Sequence, residues 1–514
     1  MNYDSVILNA VLALLGKLSA AYYASAFAKL VKRAADFGKM LFSGSSIWNF
    51  IKRDDFLSEA WDKSAVFLFL ERVLNFPSEL CRRFVFKHEQ VFSSSLSVRV
   101  VNSVTARFGL LVGIFAAAIF IVPHERWNNG YAVAGVLLLI VLFFLKTVFR
   151  TGESFSLKPV DFALFLFMLA AVLAAALSLF PSDSLKFLVF YITCFLLLLI
   201  MASSLKEKGD LGLMIDVMLA GASASGLYGI YQAVKGVPVN AALTDIELNA
   251  GMPGRVFSTM GNPNNFAEVL VMTLPFFLAA VFNTPKLFRK LLYLALALPP
   301  LASLFYTGSR SGWIAFAAAI LVFVFLKNRK LVPLIIMLGM LCVPILPEFV
   351  YRRIMTVWNP QDTSAAYRVK IYMSVIPILR DFWVTGLGLG PGPFMKVSSW
   401  YHQFTRAAVA HSHNLYLEIW LETGFTGFAS FVWFVLRAYK KSFVGIFGKS
   451  DAYVKNILIA AVSSLTGILI MGMAEYVLFY PRVMLVFWID IGIILTGLSI
   501  LSKRRAALSI QDRA

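Results

Sequence analysis

The stretch His411–Glu422 reads HSHNLYLEIWLE and joins a polar cluster to the start of an apolar segment. Two histidines and an asparagine precede a run that, with the residues after it, is long enough to cross a membrane. Titratable groups at the mouth of a membrane helix are costly, and they usually mark a functional site. The stretch therefore predicts an all-α membrane protein with a polar site at the start of one span.

The composition agrees with a membrane protein. Hydrophobic residues make up 59% of the 514 residues, and charged residues only 15%. The net charge of +19 is carried by short Lys and Arg clusters between apolar stretches. That distribution is typical of a polytopic membrane protein that meets anionic lipid. We expect membrane lipids as partners and no nucleic acid.

The apolar pattern predicts about twelve transmembrane helices behind an N-terminal extension. The predicted spans are 108–122, 131–149, 160–180, 185–202, 211–233, 266–283, 291–306, 312–327, 331–350, 413–436, 454–475 and 481–500. The predicted regions are a cytoplasmic or interfacial helical extension (1–106), a transmembrane domain (107–502) with a large outward loop between spans 9 and 10 (351–412), and a cytoplasmic tail (503–514). Residues 5–31 either lie on the membrane or cross it, because Lys17 interrupts an otherwise apolar run.

Basic residues recur in every second loop of this layout. They are Lys206 and Lys208, then Lys286, Arg289 and Lys290, then Lys327, Arg329 and Lys330, then Arg437, Lys440 and Lys441, then Lys503, Arg504 and Arg505. By the positive-inside rule these loops face the cytoplasm. The loop that ends in His411 and His413 consequently faces outward.

Arginines on the predicted outer side depart from this rule. Arg255 and Arg310 each stand among small, turn-forming residues, which let a ligand approach the backbone. Further arginines lie in the large loop: Arg352, Arg353, Arg368, Arg380 and Arg406. A single arginine at a membrane mouth can equally anchor a lipid headgroup.

The spans that follow Arg255, Arg310 and His413 all begin at the outer face. Their expected N-caps are Asn262 before Pro263, Ser309 or Ser311, and Ser412. Helix N-termini bind phosphate, and the planar guanidinium fork of arginine suits a diphosphate. The sequence therefore predicts an outward-facing diphosphate site.

Four stretches carry a resemblance to a known family. They are Gly254-Arg255 with Gly261-Asn262-Pro263-Asn264, then Ser309-Arg310-Ser311, then Tyr367-Arg368 leading to Gly386–Phe394, and finally His413–Glu418 closed by Glu422-Thr423-Gly424. With these motifs, in this order over about residues 100–500, the chain resembles the O-antigen ligase and polymerase superfamily.

The resemblance implies a C-type glycosyltransferase-like architecture and a reaction. The enzyme would move a glycan from undecaprenyl diphosphate to an acceptor hydroxyl, on the outer face of the bacterial cytoplasmic membrane, by inverting transfer without metal or cofactor. The family pattern implies that His413 acts on the acceptor and that Arg255 and Arg310 bind the diphosphate. His413 matches because it directly precedes Asn414, and His411 is the reserve candidate. The acceptor stays open among a glycolipid such as lipopolysaccharide core, a protein and a wall polymer.

Other polar residues are candidates for support of the site. They are His411, Asn414, Arg368, Asn262, Glu418 and Glu422. Glu418 and Glu422 are one helical turn apart, and they either orient His413 or the acceptor or pair with a loop arginine. Charged residues inside the predicted spans are Asp216, Glu268, Glu475 and Asp490.

Two other functions fit parts of the pattern. A polysaccharide polymerase, with a second lipid-linked repeat as acceptor, needs the same kinds of residue. A lipid-linked oligosaccharide transporter would use the carboxylates within the spans as a proton relay, but it leaves the outer Arg and His residues without a role. Zinc binding by His411, His413 and Glu418 is not expected, because a third well-spaced ligand is lacking.

Overall fold

The computed structural model describes residues 56–239, 254–355, 363–401, 409–448 and 451–511, and all regular structure within them is helical. The α-helices are α1 (Phe56–Asp62), α2 (Ala65–Lys87), α3 (Glu89–Ser94), α4 (Leu96–Val104), α5 (Phe108–Ile121), α6 (Asn129–Phe149), α7 (Phe162–Ala176), α8 (Pro181–Ser204), α9 (Lys208–Lys235), α10 (Pro263–Asn283), α11 (Leu287–Tyr306), α12 (Arg310–Asn328), α13 (Val332–Cys342), α14 (Glu348–Met355), α15 (Thr363–Phe382), α16 (Pro391–Ser398), α17 (Leu415–Phe447), α18 (Ala452–Met471) and α19 (Pro481–Gln511).

The chain divides into two compact units. The smaller one comprises residues 1–60 and 324–346, and the larger one comprises 61–323 and 347–514. The prediction for residues 5–31 lies outside the described part of the chain, as does Arg406. Every site residue considered below belongs to the larger unit.

Nine helical segments within the described ranges are long and apolar enough to cross a membrane. They are Leu96–Ile121, Asn129–Phe149, Pro181–Ser204, Lys208–Lys235, Pro263–Asn283, Leu287–Tyr306, Leu415–Phe447, Ala452–Met471 and Pro481–Lys503. The protein is thus a multi-pass, all-helical membrane protein. The first of these segments begins at Leu96, inside the stretch that the sequence assigned to the extension. The last helix continues to Gln511, through most of the predicted tail.

Helices also occupy the other three predicted spans: one helix is shorter than predicted, one covers its predicted span and one span is broken. The apolar helix α7 has 15 residues, and α12 has 19. The predicted ninth span is divided between α13, a 3₁₀ turn and α14. Pro344 lies in that turn and Pro347 directly precedes α14. A proline lacks the N–H that a continuing helix needs, so these two residues interrupt the predicted span.

Contacts between distant segments define two ends of the larger unit. At one end, Asp161 caps α7 and binds Arg437 (2.7 Å) and Lys441 (3.0 Å) of α17. At the same end Lys208 binds Asp451, which caps α18 (3.2 Å). The His and Arg residues of the predicted site gather at the other end, hereafter the site end. This separation agrees with the alternation of basic loops along the sequence.

The spans differ in how deeply they are enclosed. In the most apolar window of α19, 83% of the residues are buried, and in those of α10 and α18 the share is 78%. The corresponding share in α11 is 17%, so that helix is much less enclosed. The helices α10, α18 and α19 therefore form the centre of the bundle, and the polar segments that flank them meet at the site end.

Small residues let α9 approach its neighbours closely. A methyl group on Gly221 would lie 2.7 Å from the Cα atom of Ala117 in α5. On the other side of α9, a methyl group on Gly226 would lie 2.4 Å from the backbone nitrogen of Pro300 in α11. Membrane helices depend on such close backbone packing, because lipid offers little hydrophobic drive for helix association.

We predict that Gly221→Val separates α9 from α5 and destabilises the protein. Overpacking of this kind typically costs about 1–3 kcal/mol. The measurement is the thermal unfolding midpoint of the purified protein in detergent. Gly209→Val on the same helix is the matched control, because a methyl group on Gly209 meets no atom within 4 Å. Equal midpoints for the two variants would contradict the packing argument.

Candidate functional site

Each of three helices begins at the site end with a different N-cap. The Oδ1 atom of Asn262 accepts a hydrogen bond from the backbone N–H of Asn264 (2.8 Å) at the start of α10. The hydroxyl of Ser309 accepts from the N–H of Gly312 (3.4 Å) at the start of α12. These two predicted caps are confirmed. The prediction for Ser412 is wrong, because Asn414 caps α17.

Asn414 suits the capping position because it directly precedes the first helical residue. Its Oδ1 atom accepts hydrogen bonds from the N–H groups of Tyr416 and Leu417, both 3.0 Å long. Its Nδ2 atom donates to the carbonyl of Met473 (3.0 Å), which follows α18. Asn414 therefore fixes both the start of α17 and the position of the preceding histidine.

Arg255 lies in a loop that is bound to its surroundings on both sides. Its Nε donates to the carbonyl of Thr307 (2.7 Å), and one terminal nitrogen donates to Oδ1 of Asn264 (2.5 Å). The side chain passes over Gly308, whose φ is +60° and whose added methyl group would lie 3.4 Å from the Cγ atom of Arg255. Glycine adopts this left-handed conformation without strain. The arginine is thus held between the starts of α10 and α12.

Glu475 is the carboxylate that joins the separate parts of the site. Its Oε1 accepts from Arg368 (2.5 Å) and from Nδ2 of Asn264 (3.0 Å), and Arg368 also donates to the carbonyl of Ala474 (2.9 Å). Its Oε2 lies 3.6 Å from Nδ1 of His413. The sequence put Glu475 inside a span, but α18 ends at Met471 and the residue lies in the loop behind it.

The charges around Glu475 keep it ionised. Burial alone raises its pKa, but contact with His413 and the charge of Arg368 outweigh burial, so the pKa of Glu475 falls below its ordinary value. A buried carboxylate of this kind stays charged only where partners compensate for the lost water. Asn264, which bonds both Glu475 and Arg255, links this carboxylate to the arginine loop.

His413 is held in an unusual backbone conformation. Its φ is +52°, which costs energy for a residue with a side chain and is often found at functional sites. Its carbonyl accepts from the hydroxyl of Tyr372 (3.2 Å), and its N–H donates to Nδ1 of His411 (3.1 Å). Its own Nδ1 is buried, faces Glu475 and has no hydrogen-bond partner among the described residues.

His411 packs directly against His413. Its ring lies 4.2 Å from the ring of His413 and 4.4 Å from that of Phe479, measured between centroids. Burial and the neighbouring His413 lower the pKa of His411 to about 3. The imidazole is therefore neutral at pH 7, as its acceptor role at Nδ1 requires. That nitrogen is occupied by the His413 N–H, so it is not available to take a proton from a substrate.

Several arginines act on one another at this end of the protein. Burial and the nearby charges of Arg353, Arg368 and Arg310 together lower the pKa of Arg255 to about 9, although the charge of Glu475 acts in the opposite direction. Arg310 is the first residue of α12, and the Nε atom of Arg353 donates to the carbonyl of Gly308 (3.4 Å). Like charges gathered in a buried place favour the binding of an anion.

The two glutamates of α17 have separate structural partners. The carboxylate of Glu418 accepts from the backbone N–H of Ser412 (2.5 Å). That of Glu422 accepts from the hydroxyls of Tyr476 (2.8 Å) and Tyr191 (3.2 Å) and from the N–H of Gly390 (2.9 Å). Among the described residues, neither carboxylate accepts a hydrogen bond from a loop arginine or from the His413 side chain. Glu418 instead fixes the backbone between the two histidines.

The glycine-rich segment after α15 docks on a break in α17. Gly424 has φ +66°, and a methyl group there would lie 2.0 Å from the carbonyl oxygen of Val384. The break exposes helix carbonyls, and the N–H groups of Leu387 and Gly388 donate to those of Leu421 (2.6 Å) and Glu422 (3.2 Å). This contact, together with the Gly390 bond to Glu422, holds the large loop against the site end.

Sequence reasoning missed two members of the site, Asn264 and Tyr372. Asn264 stands in the quoted motif, but no local signal shows that it bonds both Arg255 and Glu475. Tyr372 lies within a segment expected to be loop, which is helical as α15. The turn-forming motif Gly261–Asn264, with its two asparagines, was the available signal for the first, and no pattern pointed to the second.

We predict that Glu475→Ala lowers stability, because it removes the carboxylate that binds Arg368 and Asn264. Hydrogen bonds to charged groups contribute about 1.5–3 kcal/mol each. Glu348→Ala is the matched control, since its ion pair with Arg352 is exposed and such pairs contribute about 0–1 kcal/mol. Thermal unfolding in detergent compares the two. A midpoint for Glu475→Ala equal to that of the control would remove Glu475 from its central position.

Part of the chain is similar to a known protein family. Residues 292–432 match the family model described as O-antigen ligase, which is about a quarter of the chain. The matched segment includes Arg310, Arg368 and His413, whereas Arg255 and Glu475 lie outside it. No curated protein matches the chain. Residues 292–432 are thus similar to O-antigen ligases, and this match supports the O-antigen ligase superfamily for the chain.

Proposed function

We propose that the protein transfers a glycan from undecaprenyl diphosphate to an acceptor hydroxyl at the outer face of the bacterial cytoplasmic membrane. The observation that carries the proposal is the continuous set of contacts from Arg255 through Asn264 and Glu475 to His413. These contacts join Arg255, which suits the binding of an anionic leaving group, to His413, which suits the role of proton acceptor. The match to the O-antigen ligase family supports glycosyl transfer of the ligase type.

His413 is the proposed general base. Its Nδ1 faces Oε2 of Glu475 at 3.6 Å, and a closer approach of about 0.7 Å gives an ordinary hydrogen bond. With the proton on Nδ1 directed at this carboxylate, Nε2 carries the lone pair that accepts the hydroxyl proton. Glu475 would also stabilise the imidazolium that forms, and His411 and Tyr372 would keep the residue in place.

Arg255 and Arg310 are the proposed diphosphate-binding residues. Both adjoin the N-terminus of a long helix, where backbone N–H groups favour phosphate. The lowered pKa of Arg255, at about 9, still leaves it protonated at neutral pH, and a bound anion would relieve the repulsion from Arg353. Removal of one such charge-stabilising group typically costs about 3–4 kcal/mol of barrier.

The proposed reaction balances without a further reagent. The acceptor oxygen forms a bond to the anomeric carbon on the face opposite the diphosphate, and the bond from that carbon to the diphosphate oxygen breaks. The electron pair leaves with undecaprenyl diphosphate, where the arginines stabilise it, and the hydroxyl proton moves to His413. Attack from the opposite face inverts the anomeric configuration. Fixed cations supply the charge stabilisation, so we propose that the transfer needs no metal.

We predict that His413→Ala lowers product formation at least about 100-fold, the usual contribution of a general base, while donor binding persists. The assay contains purified protein, undecaprenyl-diphosphate glycan, a candidate acceptor and a chelator. His88→Ala, at an exposed position in the turn between α2 and α3, is the control for handling and stability. Near-normal turnover by His413→Ala would refute its role, and a strict requirement for a divalent metal would refute the metal-independent mechanism. A single-addition product supports a ligase, and a ladder of repeats supports a polymerase.

We predict that Arg310→Glu abolishes transfer and weakens donor binding while the protein still inserts into the membrane, because a carboxylate at the start of α12 repels the diphosphate. Arg352→Glu is the matched control. Arg352 is an exposed arginine of α14 whose side chain points to Glu348. Binding of undecaprenyl diphosphate and turnover are measured for both variants. Full activity of Arg310→Glu would exclude Arg310 from the diphosphate site.

A further inference from the structure

A cavity of about 200 Å³ lies beside the start of α10. Its lining includes His124, Trp127, Asn129, Asn265, Tyr480 and Arg482. His124 and Tyr480 are exposed at its mouth, while Asn265 and Arg482 are 5% exposed and form its inner wall. Nothing in the mechanism above uses these residues.

The wall of this cavity is held rigidly. Arg482 donates to the carbonyls of Thr259 and Val122, both at 2.8 Å, and also to that of Ile119. Its Cζ atom lies 4.5 Å from the ring centroid of Trp127. The indole N–H of Trp127 donates to Oδ1 of Asn129 (2.8 Å). The aromatic ring and the polar groups beside it are thus fixed before any ligand arrives, which lowers the entropic cost of binding.

The lining has the chemistry that a sugar ring requires. An indole and a phenol offer apolar faces with polar tips, and two amides and an imidazole offer donors and acceptors to hydroxyl groups. Sites for drug-sized ligands measure about 300–1,000 Å³, so a cavity of about 200 Å³ suits one ring rather than an oligosaccharide.

The position of the cavity indicates which sugar it would hold. Asn264 bonds Arg255 in the proposed diphosphate site, and the next residue, Asn265, lines the cavity. A sugar close to the diphosphate of the donor would therefore lie near the cavity. We propose that this cavity binds one sugar ring of the lipid-linked donor glycan, a proposal that rests on the function proposed above.

Binding of two lipids by the full-length protein in nanodiscs tests this proposal. The probes are undecaprenyl diphosphate without sugar and the lipid-linked glycan isolated from cells that produce the protein. Trp127→Ala should weaken binding of the glycan-linked lipid about tenfold, the equivalent of about 1.4 kcal/mol, and leave binding of undecaprenyl diphosphate within about twofold. Trp127→Phe should recover most of the lost affinity, because it restores an aromatic face.

The controls separate this proposal from the proposed function. Arg255→Ala should weaken binding of both lipids, whereas Tyr131→Ala, at an exposed position on α6 outside the cavity lining, should change neither. Equal losses for both lipids in Trp127→Ala, or no loss for either, would overturn the sugar site, even if Arg255 still matters. A rise in the acceptor KM without a change in donor affinity would overturn it in favour of the acceptor. If the unmodified protein binds neither lipid, the proposed function itself fails.

Discussion

The structure of the site end depends on the contacts of one buried carboxylate, that of Glu475, with cations and polar groups. Glu475 binds Arg368 and Asn264 and faces His413, and Asn264 extends the set to Arg255. Ionised groups taken out of water lose several kcal/mol of hydration, which only well-placed partners return. The segments that carry these residues therefore stabilise one another, because each supplies a hydrogen-bond or ion-pair partner to a residue on another segment.

The need of buried polar groups for partners also explains the irregular backbone around the site. Backbone N–H and C=O groups near a membrane must find partners within the protein. Gly424 breaks α17 so that its carbonyls accept from the glycine-rich segment, and Gly308 turns the chain beneath Arg255. These breaks place polar groups where a straight helix would present apolar ones. Because their hydrogen bonds are satisfied internally, the polar groups are held in position before a substrate binds, as electrostatic catalysis requires.

Two adjacent residues at the start of α10 face different surroundings. Asn264 is directed toward Arg255 and Glu475, where charge dominates, and Asn265 lines a cavity with an aromatic wall. A lipid-linked glycan has the same two parts, a diphosphate and a neighbouring sugar. The histidine pair supplies a third function, because His411 holds the backbone of His413 and leaves that side chain facing Glu475. The proposed binding of the diphosphate and of the sugar thus follows from the different surroundings of Asn264 and Asn265 at the start of α10.

The sequence by itself determined the helical membrane class, the position of most spans and the cap at Asn262, and it narrowed the cap of α12 to Ser309 or Ser311, because hydropathy and capping depend on residues a few positions apart. It also pointed to Arg255, Arg310 and His413 by their motifs. The structure corrected three local predictions, since Asn414 caps α17, Pro344 and Pro347 interrupt a predicted span, and Glu475 lies in a loop. Only the tertiary structure decided the partners of Glu475. The bonds of Glu475 reach residues 211 and 107 positions away, to Asn264 and Arg368. Such pairs form when packing brings remote segments together, and no local pattern along the chain encodes them.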